Sequence, residues 1–308
     1  MNDEPPPDGT PEGLSGHAPG YSPGHAPGRS TLAPGLTLAS TPIGAARDVT
    51  LRALDCLSAA DVIAAEDTRT ARRLMEIHGI PLAGRRVVAC HDHSGPQVLE
   101  RLVDEMAEGR SVVYVSEAGT PLVSDPGFAL ARAAIARGLP VTAAPGASAL
   151  LAALAVAGLP ADRFLFAGFL PTTDAARRAA IAELAAVPAT LVLYESPKRL
   201  AALLAALAET LGDRPAAVCR ELTKRFEEVR RGGLAGLASA YAHEEVRGEV
   251  VVVVGRGAPR EAGEAEVRER LREALLTLRL KDAATAVAGA LGLPRQQVYR
   301  LALGMKDE

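Results

Sequence analysis

The stretch SVVYVSEAGTPLVSDPG, residues 111–127, places a short apolar strand directly before a loop rich in Gly, Pro and carboxylates. An apolar run of this length, bounded by turn-forming residues, is typical of a buried strand. Further strands are predicted at residues 36–40, 62–65, 86–90 and 141–143, and helices at 50–59, 70–78, 96–108 and 129–137. This alternation predicts a mainly parallel sheet with helices on both faces.

A polar or Gly-containing loop follows each of these strands. The other four are STPIG at residues 40–44, AEDTR at 65–69, CHDH at 90–93 and APGASAL at 144–150. Because the carboxyl ends of parallel strands meet at one edge of a sheet, the five loops should converge there. Their glycines lack a Cβ and let backbone approach a ligand closely. A single such loop is explained by a turn, but five together predict a ligand-binding crevice.

Composition limits the class of protein. The 308 residues are 48% hydrophobic and 23% charged, which is typical of a globular chain. No apolar run reaches the ~20 residues of a membrane span, and no secretory signal is visible, so we expect a cytoplasmic protein without a membrane partner. The formal net charge of −3 argues against non-specific coating of nucleic acid but permits a local basic surface.

Changes in residue composition and pattern along the chain predict its domains. Residues 1–34 are rich in Pro and Gly, contain HAPG twice, and are predicted to be a disordered tail. One α/β domain is predicted at 35–150 and a second at 151–258. The second has predicted strands at residues 164–169, 190–194, 216–220 and 249–254, and a helix at 199–211.

The end of the chain, residues 264–308, is predicted to be a small helical domain. An amphipathic helix at 264–280 precedes the pattern helix, LGLP, helix, with Asp282 available as N-cap and Gln296, Gln297, Tyr299 and Arg300 on the second helix. This spacing fits a helix-turn-helix that contacts nucleic acid. A helical hairpin that serves packing or dimerisation fits it equally well, so both interpretations stay open.

Several common sites are disfavoured. Neither G-x-G-x-x-G nor G-x-x-x-x-G-K-[ST] is present, which argues against a dinucleotide fold or a P-loop. Ser116, a His of the CHDH loop and Asp125 could form a hydrolase triad, but Ser116 is not in a G-x-S-x-G elbow. The cysteines Cys56, Cys90 and Cys219 are scattered and form no C-x-x-C pair, so we expect no disulfide framework and no Cys-rich zinc site. His91 and His93 flank a single residue and would point in opposite directions in a strand, so we expect no metal site there either.

The motifs resemble a known superfamily. STPIG, AAEDTR, HDH, SEAGTPLVSDPG, PGASA, GFLP, LYESPKR, CRELTK and RGEVVVVV occur in this order between residues 36 and 255. They are similar to the tetrapyrrole-methylase-type (class III) S-adenosylmethionine (SAM) methyltransferases. Within that superfamily they resemble the enzymes that 2′-O-methylate a cytidine of 16S ribosomal RNA in the small ribosomal subunit. The terminal helix pair resembles that family's C-terminal helical domain.

The resemblance implies a fold and a cofactor site. It implies two α/β domains with the SAM cleft between them, a small helix-turn-helix-like domain, and a homodimer. By analogy the cofactor contacts are Pro42, Ile43, Gly44, Ser116, Glu117, Ala118, Gly119, Ala147, Ser148, Tyr194 and Leu222. The chain departs from the family pattern at Ala45, where Asn is usual, and at Glu117, where Asp is usual.

A ribose 2′-hydroxyl is a weak nucleophile, so its methylation calls for a base or for a cation that favours the alkoxide. The candidates are Glu66, Asp67, Asp92, His93 and Lys198, with Asp92 or His93 favoured near the acceptor. For Asp67, an ion pair with Arg69 that fixes the loop is an equally good explanation.

An RNA substrate needs cations for its phosphates. The candidates are Arg69, Arg72, Arg73, Arg199, Lys224 and Arg225, with Lys198, Arg230 and Arg231 as further candidates. Any one of them alone is commonly a solvated surface charge. Their recurrence in pairs beside the motif loops is what favours an RNA-binding surface.

Two other functions remain open from the sequence. A precorrin-type methyltransferase would share the cleft but bind a macrocycle, and AAEDTR, GFLP and the extra helical domain argue against it. A non-enzymatic regulator that uses the helix pair on DNA would require a vestigial cleft, and the intact Gly and Pro loops argue against it.

Overall fold

The computed structural model describes residues 32–91, 94–123, 127–257, 264–291 and 293–305. The predicted tail to residue 31, the linker 258–263, and Asp92, His93 and Asp125 lie outside the described residues. The described chain contains two five-stranded sheets with helices packed on them and a terminal group of three helices, so the predicted α/β class with a small helical unit is confirmed.

The first sheet is entirely parallel, as the alternation of strands and helices predicts. Its strands are β1 (Gly35–Ala39), β2 (Val62–Ala65), β3 (Arg86–Ala89), β4 (Ser111–Val115) and β5 (Val141–Ala144), in the order β3-β2-β4-β1-β5. Leu36 of β1 pairs with Val112 of β4 and Val141 of β5. All five chain exits therefore lie at one edge of the sheet.

Helices cover both faces of this sheet. They are α1 (Leu51–Ala59), α2 (Thr68–Ile77), α3 (Pro96–Ala107) and α4 (Phe128–Ala136), with a 3₁₀ turn at Ala46–Asp48. Successive side chains of β2 point to opposite faces, so Val62 packs with Leu102 and Leu130, whereas Ile63 packs with Leu57 and Met75. This alternation gives one hydrophobic layer on each face.

The second sheet is mixed. Its strands are β6 (Phe164–Phe169), β7 (Thr190–Glu195), β8 (Pro215–Arg220), β9 (Glu228–Gly233) and β10 (Val250–Val254), in the order β6-β7-β10-β8-β9. Only β6 and β7 run parallel, and the remaining pairs are antiparallel. Strand β9 is not predicted by local pattern, because its Arg and Gly residues form a strand only where β8 offers them a partner.

Four more helices complete the two α/β units. They are α5 (Ala149–Ala157), α6 (Asp174–Ala185), α7 (Leu200–Leu211) and α8 (Leu234–Tyr241). Helix α5 follows the first sheet, but its Ala153 and Leu154 pack against Val192 and Val253 of the second. The predicted division between residues 150 and 151 falls inside this helix.

The terminal helices α9 (Glu264–Leu275), α10 (Leu280–Leu291) and α11 (Arg295–Gly304) share one small core around Leu271, Val287 and Val298. The prediction of Asp282 as N-cap is wrong. Helix α10 begins at Leu280, and Asp282 lies within its first turn. The predicted helix to residue 280 ends earlier, at Leu275.

Candidate active site

A cleft of about 620 Å³ lies between the two sheets. The first half of the chain lines it with the loops after β1, β4 and β5, which all leave the same sheet edge. The second half lines it with the ends of β6, β7 and β8 and with the start of β10. Three of the five predicted strand-end loops therefore line a crevice, and the second sheet closes its other side.

The loop after β4 is held by its own neighbours. Gly119 and Thr41 exchange backbone hydrogen bonds of 2.9 and 3.1 Å, and the Ser116 hydroxyl donates to the Gly119 carbonyl at 3.0 Å. The Glu117 N–H donates to the Glu66 carboxylate at 2.9 Å, so AEDTR and SEAGTP are joined. Gly119 has φ of 86°, a left-handed conformation that favours glycine.

The turn after β5 is tied to the same loop. The Thr120 hydroxyl donates to the Ala147 carbonyl at 2.9 Å, and the Ser40 hydroxyl donates to Thr120 at 3.3 Å. Three strand-end loops thus form one hydrogen-bonded wall. Because its members hold one another, this wall is fixed before any ligand arrives.

Gly44 lies where the two halves of the chain meet. A Cβ at this position would be 2.5 Å from Lys224 Cγ and 2.6 Å from Thr223 Oγ1. The neighbouring Ala45 N–H donates to the same Thr223 hydroxyl at 3.1 Å. Ala45 therefore joins the first half of the chain to the second through its backbone.

The second half presents an aromatic and acidic wall. Tyr194 packs edge-on against Phe166 and Phe169, and its hydroxyl accepts the Leu150 N–H at 3.1 Å. The next residue, Glu195, has a buried carboxylate that accepts from the Ser196 N–H and from an Arg199 guanidinium nitrogen. Burial raises the pKa of Cys219, which also lines the cleft, to about 11.

The chain matches families of known proteins. A profile of the tetrapyrrole (corrin/porphyrin) methylases matches residues 35–238, and one of the RsmI C-terminal HTH domain matches 261–306. The ribosomal RNA small subunit methyltransferase I of Mesorhizobium japonicum is 46% identical over 278 residues, covering 90% of this chain and 94% of the relative. The chain belongs to the ribosomal RNA small subunit methyltransferase I family, within the tetrapyrrole methylases.

Other relatives agree. The protein of the same name from Mycobacterium tuberculosis is 44% identical and covers 89% of this chain and 96% of its own length. Among solved structures, the methyltransferase CobJ aligns with a TM-score of 0.56 at 23% identity, covering 75% of this chain and 97% of that one. At that identity the structural likeness supports the fold alone. The family resemblance and the enzyme class predicted from the motifs are confirmed.

Most of the predicted cofactor residues line the cleft between the two sheets. Nine of the eleven line it directly: Pro42, Ile43, Gly44, Glu117, Ala118, Gly119, Ser148, Tyr194 and Leu222. Ser116 and Ala147 lie behind the lining, where they hold Gly119 and Thr120 in place.

The predicted bases separate into three groups. Asp92 and His93 lie outside the described residues. Glu66 fixes the Glu117 backbone, and Asp67 caps α2 by accepting the Arg69 and Thr70 N–H groups. Hydrogen bonds from the Arg69 side chain and backbone lower the pKa of Asp67 to about 2, which makes it a poor proton acceptor. Lys198 lies on an adjoining groove rather than in the cleft.

The residues predicted to contact RNA differ in whether they already form an ion pair with a carboxylate of the chain. Arg72 and Arg225 are exposed, while Arg69 pairs with Asp67 and Arg73 with Glu76. Arg199 is engaged by Glu195, whereas Lys224 lines the cleft and pairs with Glu221 at 3.0 Å and Glu249 at 2.9 Å.

Several lining residues were not predicted. They are Thr70, Thr120, Val123, Ala149, Phe169, Glu195, Ser196, Pro197, Cys219, Gly248, Glu249, Val250 and Val251. The motifs GFLP, LYESPKR and RGEVVVVV contain several of them, but a run of Val by itself indicates only a strand and does not show which of its residues reach the cleft. Within the described chain, no group of three His, Cys, Asp or Glu residues forms a metal site. No described helix is long and apolar enough to cross a membrane.

Proposed function

We propose that this protein is a SAM-dependent methyltransferase that methylates the ribose 2′-hydroxyl of a cytidine in 16S ribosomal RNA of the small ribosomal subunit. The observation that carries the proposal is the cleft between the two sheets, built from family motifs in a chain 46% identical to a relative named for small-subunit ribosomal RNA methylation. The RNA substrate follows from the names of the relatives. The 2′-oxygen and the cytidine rest on the motif resemblance.

The cleft residues fit SAM. A Cβ would meet Lys224 at Gly44 and Ile43 at Gly119. The cleft wall is therefore formed by backbone at both glycines. The Glu117 carboxylate suits the hydroxyl and ammonium groups of the ligand, and Leu222 and Tyr194 offer apolar surface to its adenine. When bound, SAM supplies a sulfonium methyl group to the acceptor oxygen. Much of the acceleration of such a displacement comes from alignment of the two reacting atoms.

The chain must also accept a proton as the acceptor oxygen forms its bond to the methyl carbon. We assign this role to Asp92 or His93 of the CHDH loop. The loop leaves β3 beside AEDTR, because the Cys90 N–H donates to the Ala65 carbonyl at 2.8 Å. The low pKa of Asp67 argues against that residue, which instead fixes the start of α2.

The enzyme is further proposed to be a cytoplasmic homodimer with domains at residues 35–150, 151–258 and 264–308. Helix α4 supports a dimer because it exposes Phe128 and Ile135, seven residues apart and hence on one face. Analytical ultracentrifugation of the full chain tests this, and a monomer at micromolar concentration would overturn it.

The function is tested with purified protein and SAM labelled in the methyl group. Small ribosomal subunits, naked 16S ribosomal RNA and a tetrapyrrole precursor are offered in parallel. We expect label in the RNA of the subunits and, after nuclease digestion, in 2′-O-methylcytidine. Label confined to the tetrapyrrole, or none at all, would refute an RNA substrate, while a base-methylated nucleoside would refute only the 2′-oxygen as acceptor.

A further inference from the structure

An exposed aromatic ring stands at the mouth of the cleft. Phe169 ends β6, lines the cleft, and is 58% exposed. Its centroid lies 5.7 Å from that of Tyr194, with an interplanar angle of 69°. Since Tyr194 is itself held through Leu150, Phe169 packs against a fixed neighbour. Exposed rings on rigid supports are the common platform for an unstacked RNA base.

A groove of about 580 Å³ adjoins the cleft and shares Pro197 and Gly248 with it. Lys198 lies on this groove and, within the described chain, forms no ion pair. The other charged residues there are already matched, because Arg247 pairs with Glu245 and Glu244 with Arg230. Lys198 therefore supplies the groove, beside the cofactor cleft, with one ammonium group that no carboxylate of the described chain pairs with.

The ring and the ammonium group belong to one braced unit. The buried Glu195 carboxylate accepts from Arg199 at 2.9 Å. The same guanidinium nitrogen donates at 2.7 Å to the carbonyl of Leu170, the residue after Phe169. The end of β6 that carries Phe169 and the turn that carries Lys198 are thus joined through the Glu195–Arg199 ion pair. This brace holds the backbone at the two positions together, while the Lys198 side chain keeps the reach of its flexible stem.

We propose that Phe169 and Lys198 form the acceptor-nucleotide subsite. The phenyl ring stacks on the base of the nucleotide whose ribose faces the cleft, and the ammonium group binds the phosphate of its neighbour in the groove. A stacked base and an adjacent phosphate are features that any unpaired RNA nucleotide offers, so this subsite positions the ribose without reading the base edges. The inference rests on the proposed function, because it requires an RNA acceptor.

The test compares five variants: F169A, F169W, F164A, K198Q and K198R. Phe164 is the matched control, since it lies at the other end of β6 and is 41% exposed. We expect F169A to raise KM for small ribosomal subunits by roughly 5- to 150-fold, the range that loss of one base stack produces. F169W and F164A should keep the KM of the unaltered protein, and calorimetry should give all five variants its Kd for SAM.

For Lys198 the readout is the salt dependence of subunit binding. We expect K198Q to reduce the slope of log K against log salt by about 0.7–0.9, the value for one phosphate that the protein no longer neutralises, and K198R to retain it. An unchanged slope in K198Q would overturn the role of Lys198. A weakened SAM affinity in F169A with an unchanged KM for subunits would make Phe169 a cofactor wall and overturn the stacking role. Failure of the proposed function is distinguishable, because the unaltered protein would then methylate no subunit RNA at all.

Discussion

The contact between Gly44 and the second half of the chain makes Gly44→Ala the sharpest test of how the cleft is built. The added methyl would lie 2.5 Å from Lys224 Cγ, 2.6 Å from Thr223 Oγ1 and 3.0 Å from the Leu222 carbonyl oxygen. Two of these atoms cannot move freely. The Leu222 oxygen is backbone, and Thr223 already has a left-handed φ of 62° that limits its adjustment.

The expected loss has two parts. Overpacking of a fitted contact typically costs about 1–3 kcal/mol. Displacement of Thr223 also removes its hydrogen bond from the Ala45 N–H, worth about 1 kcal/mol. The Lys224 ion pairs are partly exposed and add little. Together these predict about 2–4 kcal/mol, or a fall in Tm of roughly 4–16 °C. Since Pro42 to Gly44 and Leu222 line the cleft, kcat/KM should fall about 100-fold even where the variant is folded.

Differential scanning calorimetry and a methyl-transfer assay below the Tm of the variant measure the two effects. Gly236→Ala is the matched control, because a Cβ there meets nothing within 4 Å and the residue lies in α8. That change should stabilise the protein by about 0.5–1 kcal/mol and leave activity intact. If Gly44→Ala behaves like Gly236→Ala, the close approach of the two halves at Gly44 does not exist in solution.

Four further outcomes are expected. The pKa of Asp67 is lowered to about 2 in the folded state from an ordinary 3.8, so its carboxylate stabilises the fold above about pH 4 and loses this effect as the pH falls through 2; in acid titrations the stability difference between wild type and D67N should vanish over that window. Cys219 should resist iodoacetamide at pH 8, where a thiol with a pKa near 11 is about one part in a thousand thiolate; fast labelling of its peptide by mass spectrometry would contradict its burial. Glu195→Ala should lower the free energy of unfolding in urea by about 3 kcal/mol, since it leaves a largely buried guanidinium without its carboxylate. Joint replacement of Arg72 and Arg73 by Gln should weaken subunit binding and lower its salt slope by about 1 for each phosphate that is no longer neutralised; a constant affinity across salt concentrations would exclude both from the RNA interface.

Strands were predictable where local pattern and burial agree. Strand β2 begins and ends at the predicted residues, because it is a short apolar run bounded by polar or turn residues. Helix α2 begins two residues before the predicted start at residue 70, because Asp67 caps it. Helix α5 was not predicted because it is apolar on every side, and a periodicity argument needs a polar face.

The candidate site shows the same division. Its first wall follows from the strand-end loops, since a parallel sheet brings these loops to one edge whatever the order of its strands. The second wall does not follow from local pattern, because it combines the ends of β6, β7 and β8 with the start of β10, which runs in the opposite direction. Val251 reaches the cleft only because β10 lies between β7 and β8. Phe169 and Lys198 were recognisable as motif residues, but their relation required the contact between Arg199 and the Leu170 carbonyl.

The sequence by itself determined the family, the α/β class, the three helices at the end of the chain and the loops that form the first wall of the cleft. These features depend on residue periodicity, turn chemistry and motif order, which are local properties of the chain. Tertiary structure alone decided the order of the strands, the mixed direction of the second sheet and the meeting of Gly44 with Thr223. Those features arise from contacts between residues far apart in the chain, and many apolar strands of similar composition satisfy the same local pattern. Only packing in three dimensions selects which of them become neighbours.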